Sequence, residues 1–346
     1  MGDSFSPLER IVRIAIVLVV VAPIVVGLGL VVVAQRFPGV AIEQILIYAL
    51  VAAGMSLVMT VEEADLSIGG TAILAMMVAA KMITGDVPAL VAVGVGLAVG
   101  ALVGLLNGVF IGLFRLPFYF VTLLMFGATS GLGSLLLGSG SPVILGQSFA
   151  GSMPVLIVLN LMVYILGTVA LLFLARSTSL GRLRSLNARS EAGGKPSRKV
   201  LTLYKIAAYT VSGLLAAAAG LAFLNLLRVA QPGVFGDLTT AIIAATLIGG
   251  ATLWKGSTRL VGAFLGTVII VLIRVAITLV GISGSAQLPL VVWSALALGT
   301  AILWGIAGWV LDRIFGKREE KPSPSAPGLP PTELPPPASP KAVARS

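Results

Sequence analysis

The sequence predicts an all-α membrane protein, a polytopic bundle of about ten transmembrane helices with both termini in the cytoplasm. Two observations support this prediction. Of the 346 residues, 58% are hydrophobic and 10% are charged, and the mean hydropathy of +1.08 lies far outside the range of soluble domains. The apolar residues also occur in runs of about 20, the length that crosses about 30 Å of hydrocarbon as a helix.

Ten apolar segments are long enough to be read as transmembrane helices. The third and the eighth are short and bounded by glycine, so we expect some helices of the bundle to be short or broken. The segments are residues 11–34, 40–61, 64–84, 88–113, 117–138, 153–175, 201–227, 238–254, 259–281 and 288–311.

The positions of Lys and Arg predict the topology. If Arg10 and Arg13 lie in the cytoplasm, every even-numbered segment ends there. The loop 176–205, which holds eight Lys and Arg residues against Glu191, is then cytoplasmic. This arrangement satisfies the positive-inside rule, whereas leaving out a segment would place the basic loop outside. The net charge of +10 therefore indicates topology and not nucleic-acid binding.

The chain is predicted to divide into one transmembrane domain and a tail. Residues 1–315 hold the ten segments and the cytoplasmic loop 176–205. Residues 321–346 contain nine prolines among Ser, Ala and Lys, with too few apolar side chains to bury a core. We therefore predict that residues 316–346 form a disordered, Pro-rich cytoplasmic extension.

Several kinds of chemistry are excluded by composition. The chain has no Cys and no His, which rules out disulfides, thiolate or imidazole metal sites and a Ser-His-Asp triad. Gly193-Gly194-Lys195-Pro196 lacks the first glycine and the final hydroxyl of a P-loop, and Trp254-Lys255-Gly256-Ser257 has the wrong order. We therefore predict a protein that is not an enzyme, has no metal or cofactor, and binds no ATP itself.

Five glycines recur at every fourth position of the fourth segment and form a smooth stripe on one helix face. The simpler interpretation is close packing against another helix of the same subunit. The alternative is a face that packs against a second subunit. The five residues are Gly96, Gly100, Gly104, Gly108 and Gly112.

The stretch 62–70 reads E-E-A-D-L-S-I-G-G and interrupts two apolar runs. One interpretation is a helix cap, because a carboxylate at Asp65 would stabilise the free N–H groups and the positive dipole end of the third helix. The other is an interrupted helix in which Asp65 and Ser67 lie beside a path for a polar solute. Glu62 and Glu63 are expected to be solvated.

An ordered series of motifs over residues 45–285 resembles the ribose-type permease subunits of bacterial ABC importers. The first, Asp65–Gly70, is similar to the D-L-S-V-G signature of that family, which the more distant branched-chain amino acid permeases lack. The later motifs follow at nearly the family's spacing. They are Leu106-Asn107-Gly108, Arg115-Leu116-Pro117, Thr122-Leu123, Gly131-Leu132, Ser179–Arg182, Tyr209–Ala216, Ala219-Gly220, Gln231-Pro232, Ile243-Ala244-Ala245, Gly249-Gly250, Gly262 and Gly266.

The resemblance implies a complex in the bacterial inner membrane. Such a complex pairs two permease subunits, identical or different, with cytoplasmic ATP-binding subunits and an external solute-binding protein. The implied cargo is a monosaccharide or a related small polar solute, and ATP is bound by the partner subunits. The residues assigned to the substrate path are Asp65, Ser67, Asn107, Thr122, Arg274 and Thr278.

The resemblance also places the contact with the ATPase in the basic loop. The family continues there through G-N-E-E-A-A-R-L-S-G, whereas Pro196 of this chain would break or cap a helix, so we expect an altered coupling segment. The residues assigned to coupling are Gly181, Arg182, Glu191, Ala192 and Gly193.

Departures from the family argue against ribose itself as the cargo. Thr239-Thr240-Ala241 replaces an E-L-D motif, Ser130 replaces an Arg, and Arg274-Val275-Ala276 replaces N-N-G. Arg274 lies about 22 Å from the cytoplasmic side at about 1.5 Å per residue. It either extends to the outer surface or faces the path beside Thr278, where a guanidinium would favour a carboxylate, a phosphate or an electron-rich ring.

The sequence leaves two other classes of protein as alternatives to a permease subunit. A proton- or sodium-coupled secondary transporter would use Asp65 as its ion site. The fourth to seventh segments contain no carboxylate, which argues against it. A membrane scaffold or enzyme is the other class, and the lack of His, Cys and a catalytic constellation argues against an enzyme.

Overall fold

The computed structural model describes residues 38–138, 143–145, 198–250, 260–279 and 288–315. These residues form eight α-helices, one 3-10 helix at Pro232–Phe235 and two short strands. The helices are α1 (Pro38–Met59), α2 (Ile68–Thr84), α3 (Ala89–Gly112), α4 (Phe118–Leu137), α5 (Arg198–Leu227), α6 (Leu238–Ile248), α7 (Leu260–Leu279) and α8 (Leu288–Phe315). The strands are β1 (Val143–Ile144) and β2 (Val229–Ala230), which pair antiparallel.

The chain divides into two compact units, Met1–Leu303 and Trp304–Ser346. The first contains α1 to α7, both strands and most of α8. Of the second, only the last part of α8 is among the described residues. The predicted tail 316–346 lies outside them.

Eight of the ten predicted segments fall on described residues, and each coincides with one helix. Segments 11–34 and 153–175 lie outside that part of the chain. The largest difference is at α6, which ends at Ile248 where the prediction continued to 254. Gly250 follows with φ 85°, a left-handed conformation that ends the helix while the apolar run continues.

Among the described helices, three are long and apolar enough to cross a membrane, namely α3, α4 and residues 199–227 of α5. Helices α3 and α4 expose large apolar side chains, such as Leu90, Leu102, Phe120 and Leu124. Exposed apolar faces of this extent suit contact with lipid. Helix α5 is largely buried and packs against α1, α2 and α3.

The described helices repeat in the same order in two halves. In the first half α1 is followed by an irregular linker, 60–67, and then by α2, α3 and α4. In the second half α5 is followed by the linker 228–237, and then by α6, α7 and α8. Helices α2 and α3 pack on α5, and helices α6 and α7 pack on α1. The second and third helices of each half therefore contact the first helix of the other half.

The glycine stripe of α3 faces α5 along its whole length. A Cβ on Gly108 would lie 2.6 Å from Cα of Ile206, and one on Gly104 would lie 2.9 Å from Cα of Thr210. At the two ends of the stripe, Gly96 meets Leu221 and Gly112 meets Thr202. The stripe is therefore a packing face within one subunit, as the simpler interpretation held, and the interpretation as a face for a second subunit is wrong.

We expect Gly104→Ala to destabilise the protein, because its Cβ would overlap the α5 backbone and overpacking of this kind costs about 1–3 kcal/mol. Gly94→Ala is the matched control on the same helix, since nothing lies within 4 Å of its Cβ position. Thermal unfolding of the purified protein in detergent measures both. Equal melting temperatures for the two variants would show that the contact between α3 and α5 can accommodate a methyl group at position 104.

Candidate functional site

Asp65 is fully buried in the linker 60–67 and organises a network of neutral donors. Its Oδ1 accepts hydrogen bonds from the backbone N–H of Ser67 at 3.0 Å and from Ser67 Oγ at 2.6 Å. Its Oδ2 accepts one from Ser212 Oγ of α5 at 2.8 Å. Ser67 Oγ in turn accepts from Asn107 Nδ2 of α3 at 2.8 Å. The network thus joins the helix break to both α3 and α5.

Asp65 does not cap α2 in the way one interpretation of the sequence held. The helix begins at Ile68, and Asp65 binds the N–H of Ser67, the residue before the helix, with no bond to the first helical turn. Its carboxylate fixes the conformation of the linker, and other groups accept hydrogen bonds from the first N–H groups of α2. One of these is Thr239 Oγ1 of α6, which accepts from the Gly69 N–H at 3.2 Å.

The Gly69–Thr239 contact brings the N-terminal ends of α2 and α6 together. Each helix end carries a partial positive charge of about half an elementary unit, so two such ends repel each other. A buried carboxylate precedes each of them, Asp65 before α2 and Asp237 before α6. A negative charge at these positions opposes the repulsion, and the charge of Asp237 is shared with Arg274.

Asp237 is the centre of a second buried network. Its Oδ2 accepts from Arg274 Nη1 of α7 at 2.7 Å and from Trp293 Nε1 of α8 at 2.8 Å. Arg274 Nη1 also donates to the Tyr48 hydroxyl of α1 at 2.6 Å. The guanidinium carbon lies 5.9 Å from the centre of the Tyr48 ring. Helices α1, α7 and α8 are therefore bonded to one another at the start of α6.

The ion pair changes the interpretation of Arg274. The sequence offered a side chain that extends to the outer surface or one that reads an anionic cargo, and neither included Asp237. Only 27% of the Arg274 side chain is exposed, and its charge is compensated. A guanidinium already paired with a carboxylate is a weaker receptor for a second anion.

Glu63 is also placed differently from the expectation. Glu62 is exposed as expected, but Glu63 is buried and its Oε1 forms an ion pair with Lys205 of α5. The expectation that Glu63 is solvated is wrong. The cause is a tertiary contact between residues 142 positions apart, which the local sequence does not reveal.

Other residues assigned from the sequence lie apart from these contacts or outside the description. Thr122 is buried, and its hydroxyl donates within α4 to the Phe118 carbonyl at 2.8 Å. Thr278 belongs to α7, but its side chain is outside the described residues, as is the whole coupling segment 181–193. The structure thus brings three assigned residues together, Asp65, Ser67 and Asn107.

Four residues of the two networks were not assigned to a site from the sequence. They are Tyr48, Ser212, Asp237 and Trp293. A signal for one of them was present, because Asp237 precedes a short apolar segment as Asp65 does. Asn107 and Arg274 also correspond, since each stands five residues before the end of the third helix in its half, Gly112 and Leu279 respectively.

Comparison with known proteins agrees with this architecture. The family described as branched-chain amino acid transport system / permease component matches residues 40–304. The ribose import permease protein RbsC of Escherichia coli is 30% identical over 257 residues, 71% of this chain and 79% of that protein. The fructose import permease protein FruF of Bifidobacterium longum is 29% identical over 252 residues, 69% of each chain. No solved structure matches the chain significantly.

A helical membrane bundle with buried polar networks at two helix breaks, and with such relatives, is an ABC transporter permease. The chain belongs to the branched-chain amino acid transport system permease family. The ribose and fructose import permeases among its relatives confirm the resemblance found in its ordered motifs.

Proposed function

We propose that this chain is the membrane-spanning subunit of an ABC importer. It translocates a small polar solute, which is a monosaccharide or a related compound. A solute-binding protein delivers the solute, and ATP hydrolysis by a partner ATPase drives its transport across the membrane. The observation that carries the proposal is the buried network of Asp65, Ser67, Asn107 and Ser212 at a helix break. Irregular backbone in a membrane protein occurs where protein groups or a water-filled route satisfy it. The names of the relatives support the solute class.

The proposed path runs beside this network. Asp65, Ser67, Asn107 and Thr122 are all buried, so the route is closed at this point in the conformation described. Hydroxyl, amide and carboxylate groups match the hydroxyls of a sugar-like solute when the route opens. Arg274 and Thr278 complete the proposed set, with Arg274 held in place by Asp237 rather than free to reach an anion.

The proposed complex has three further components. Cytoplasmic ATP-binding subunits dock on the loop 176–205, a solute-binding protein docks outside, and a second permease subunit, identical or different, completes the membrane core. The location is the bacterial inner membrane, which the chain crosses several times. The chain needs no cofactor of its own, because ATP binds to the partner subunits.

Two measurements test the proposal: ATP hydrolysis by the purified chain and the energy source of uptake. The purified chain in lipid is expected to hydrolyse no ATP until its ATPase partner is added, because the sequence contains no P-loop. Uptake by vesicles holding the complex is expected to require internal ATP and to survive dissipation of proton and sodium gradients. Hydrolysis by the chain alone, or uptake that stops with the gradients, would contradict the proposal.

An ion-coupled secondary transporter is the second candidate, and one observation favours it. Every hydrogen-bond partner of Asp65 among the described residues is a neutral donor, so no cation binds its carboxylate directly there. Buried carboxylates of this kind serve as proton or ion sites in carriers. The gradient experiment above distinguishes the two candidates.

A further inference from the structure

We propose that the Glu63–Lys205 ion pair transmits the movement of α5 to the Asp65 network, so that these two residues position the helix break during the transport cycle. This inference rests on the proposed function. It assigns a role to an ion pair that the solute path itself does not use.

The first step of the argument is the position of α5. The helix begins at Arg198, within the loop 176–205 on which the sequence predicts ATPase docking, and runs for 30 residues to Leu227. An α-helix is held by hydrogen bonds along its axis, so a displacement at its first turn moves the rest of the helix with it.

The second step is a series of contacts between α5 and the linker 60–67. The Tyr204 hydroxyl lies 2.6 Å from Thr60 Oγ1, and Lys205 pairs with Glu63. Lys205 and Ser212 are seven residues apart, two helical turns, so they lie on the same face of α5. The residue that Ser212 bonds is Asp65. The linker is thus attached to one face of α5 at both ends.

The third step is the incomplete bonding around Glu63. Its Oε2 is buried and has no hydrogen-bond partner, and the Tyr209 hydroxyl is buried without one as well. Tyr209 stands one helical turn after Lys205, the residue of α5 that pairs with Glu63. A hydrogen bond between this hydroxyl and the open carboxylate oxygen is the change that we expect when α5 moves. Glu63 then keeps a partner on α5 in both positions of the helix.

Of the contacts between α5 and the linker 60–67, the Glu63–Lys205 ion pair constrains their relative position most strongly. The Glu63 side chain is 11% exposed and the Lys205 side chain 20%, so the attraction between them is less screened by water than that of a surface pair. Loss of either residue leaves the other charge without its partner and frees the linker from α5 at this point.

The experiment uses the complete complex in lipid, with its solute-binding protein loaded with whichever monosaccharide it binds from a panel that includes ribose and fructose. The readout is the fold stimulation of ATP hydrolysis by the solute-binding protein, a signal that has to cross the permease. We expect Lys205→Met and Glu63→Gln to reduce this stimulation about fivefold or more, the size of a typical coupling energy between sites. Hydrolysis without the binding protein is expected to remain.

Two further variants separate transmission from folding. The exchange variant Glu63→Lys with Lys205→Glu restores the pair and is expected to regain most of the stimulation. Tyr209→Phe removes only the hydroxyl and is expected to reduce stimulation without lowering the melting temperature, because that hydroxyl makes no hydrogen bond in the conformation described. Glu62→Gln, an exposed neighbour, is the control and is expected to behave as wild type.

The outcomes are distinguishable. Single variants with normal stimulation would contradict the inference, whatever their melting temperatures. An exchange variant no better than the single variants would contradict the ion pair as the transmitting element. A wild-type complex whose hydrolysis the binding protein does not stimulate would contradict the proposed function, and the inference would fail with it.

Discussion

Asp237→Ala is expected to destabilise the protein by about 3–5 kcal/mol, because it leaves the buried guanidinium of Arg274 without its carboxylate. The same change removes the acceptor of the Trp293 indole N–H. For a chain of this size we expect the melting temperature in detergent to fall by about 6 °C or more. Thermal unfolding followed by size-exclusion chromatography measures the change.

The double variant Asp237→Asn with Arg274→Met provides the control for Asp237→Ala. Removing both charges at once leaves no uncompensated ion, and neutral replacement of a buried pair is often tolerated. We expect the double variant to be more stable than either Asp237→Ala or Arg274→Met. If the double variant is as unstable as the singles, the charge pair is not the source of the loss, and packing at the start of α6 is.

Asp65→Asn is expected to reduce uptake at least about tenfold, equivalent to about 1.4 kcal/mol, while most of the protein still folds. Both carboxylate oxygens of Asp65 accept from donors. An amide offers one acceptor and turns its NH2 group toward another donor, which costs about 1–3 kcal/mol where the group is buried. Uptake by the complete complex in vesicles, corrected for the amount of folded permease, measures the effect.

Asp86→Asn is the matched control for Asp65→Asn, because Asp86 is exposed in the turn between α2 and α3. We expect it to transport as wild type does. Ser67→Ala and Ser212→Ala each remove one donor to Asp65 and are expected to show smaller losses than Asp65→Asn. Wild-type uptake by all three network variants would remove the network from the transport mechanism and leave it a purely structural role.

The helices were predictable because lipid imposes a length on apolar runs. Helix α3 was predicted at 88–113 and observed at Ala89–Gly112, and its ends lie next to Pro88 and a turn that contains Arg115. The end of α6 was missed because Ala251 to Leu253 continue the apolar run past the glycine turn. Hydropathy reports how favourably side chains leave water, and it carries no information on where the backbone leaves the helical conformation.

The buried polar networks were only partly predictable. Asp65, Ser67 and Asn107 belong to motifs of a recognised family, so the resemblance to that family predicted that they share a site. Asp237 and Arg274 are 37 residues apart, and Glu63 and Lys205 are 142 apart. No periodicity connects such pairs, since they meet only after the two halves of the chain have packed against each other.

The packing of the α3 glycine stripe on α5 makes these two helices move together as one rigid body. At Gly104 and Gly108 the two backbones touch directly, so a tilt of one helix has to be shared by the other. With 30 residues, α5 is about 45 Å long. A tilt of about 5° about one end of a rod of that length displaces the other end by about 4 Å. A small tilt at the end that begins at Arg198 therefore moves the other end by more than the width of a water molecule.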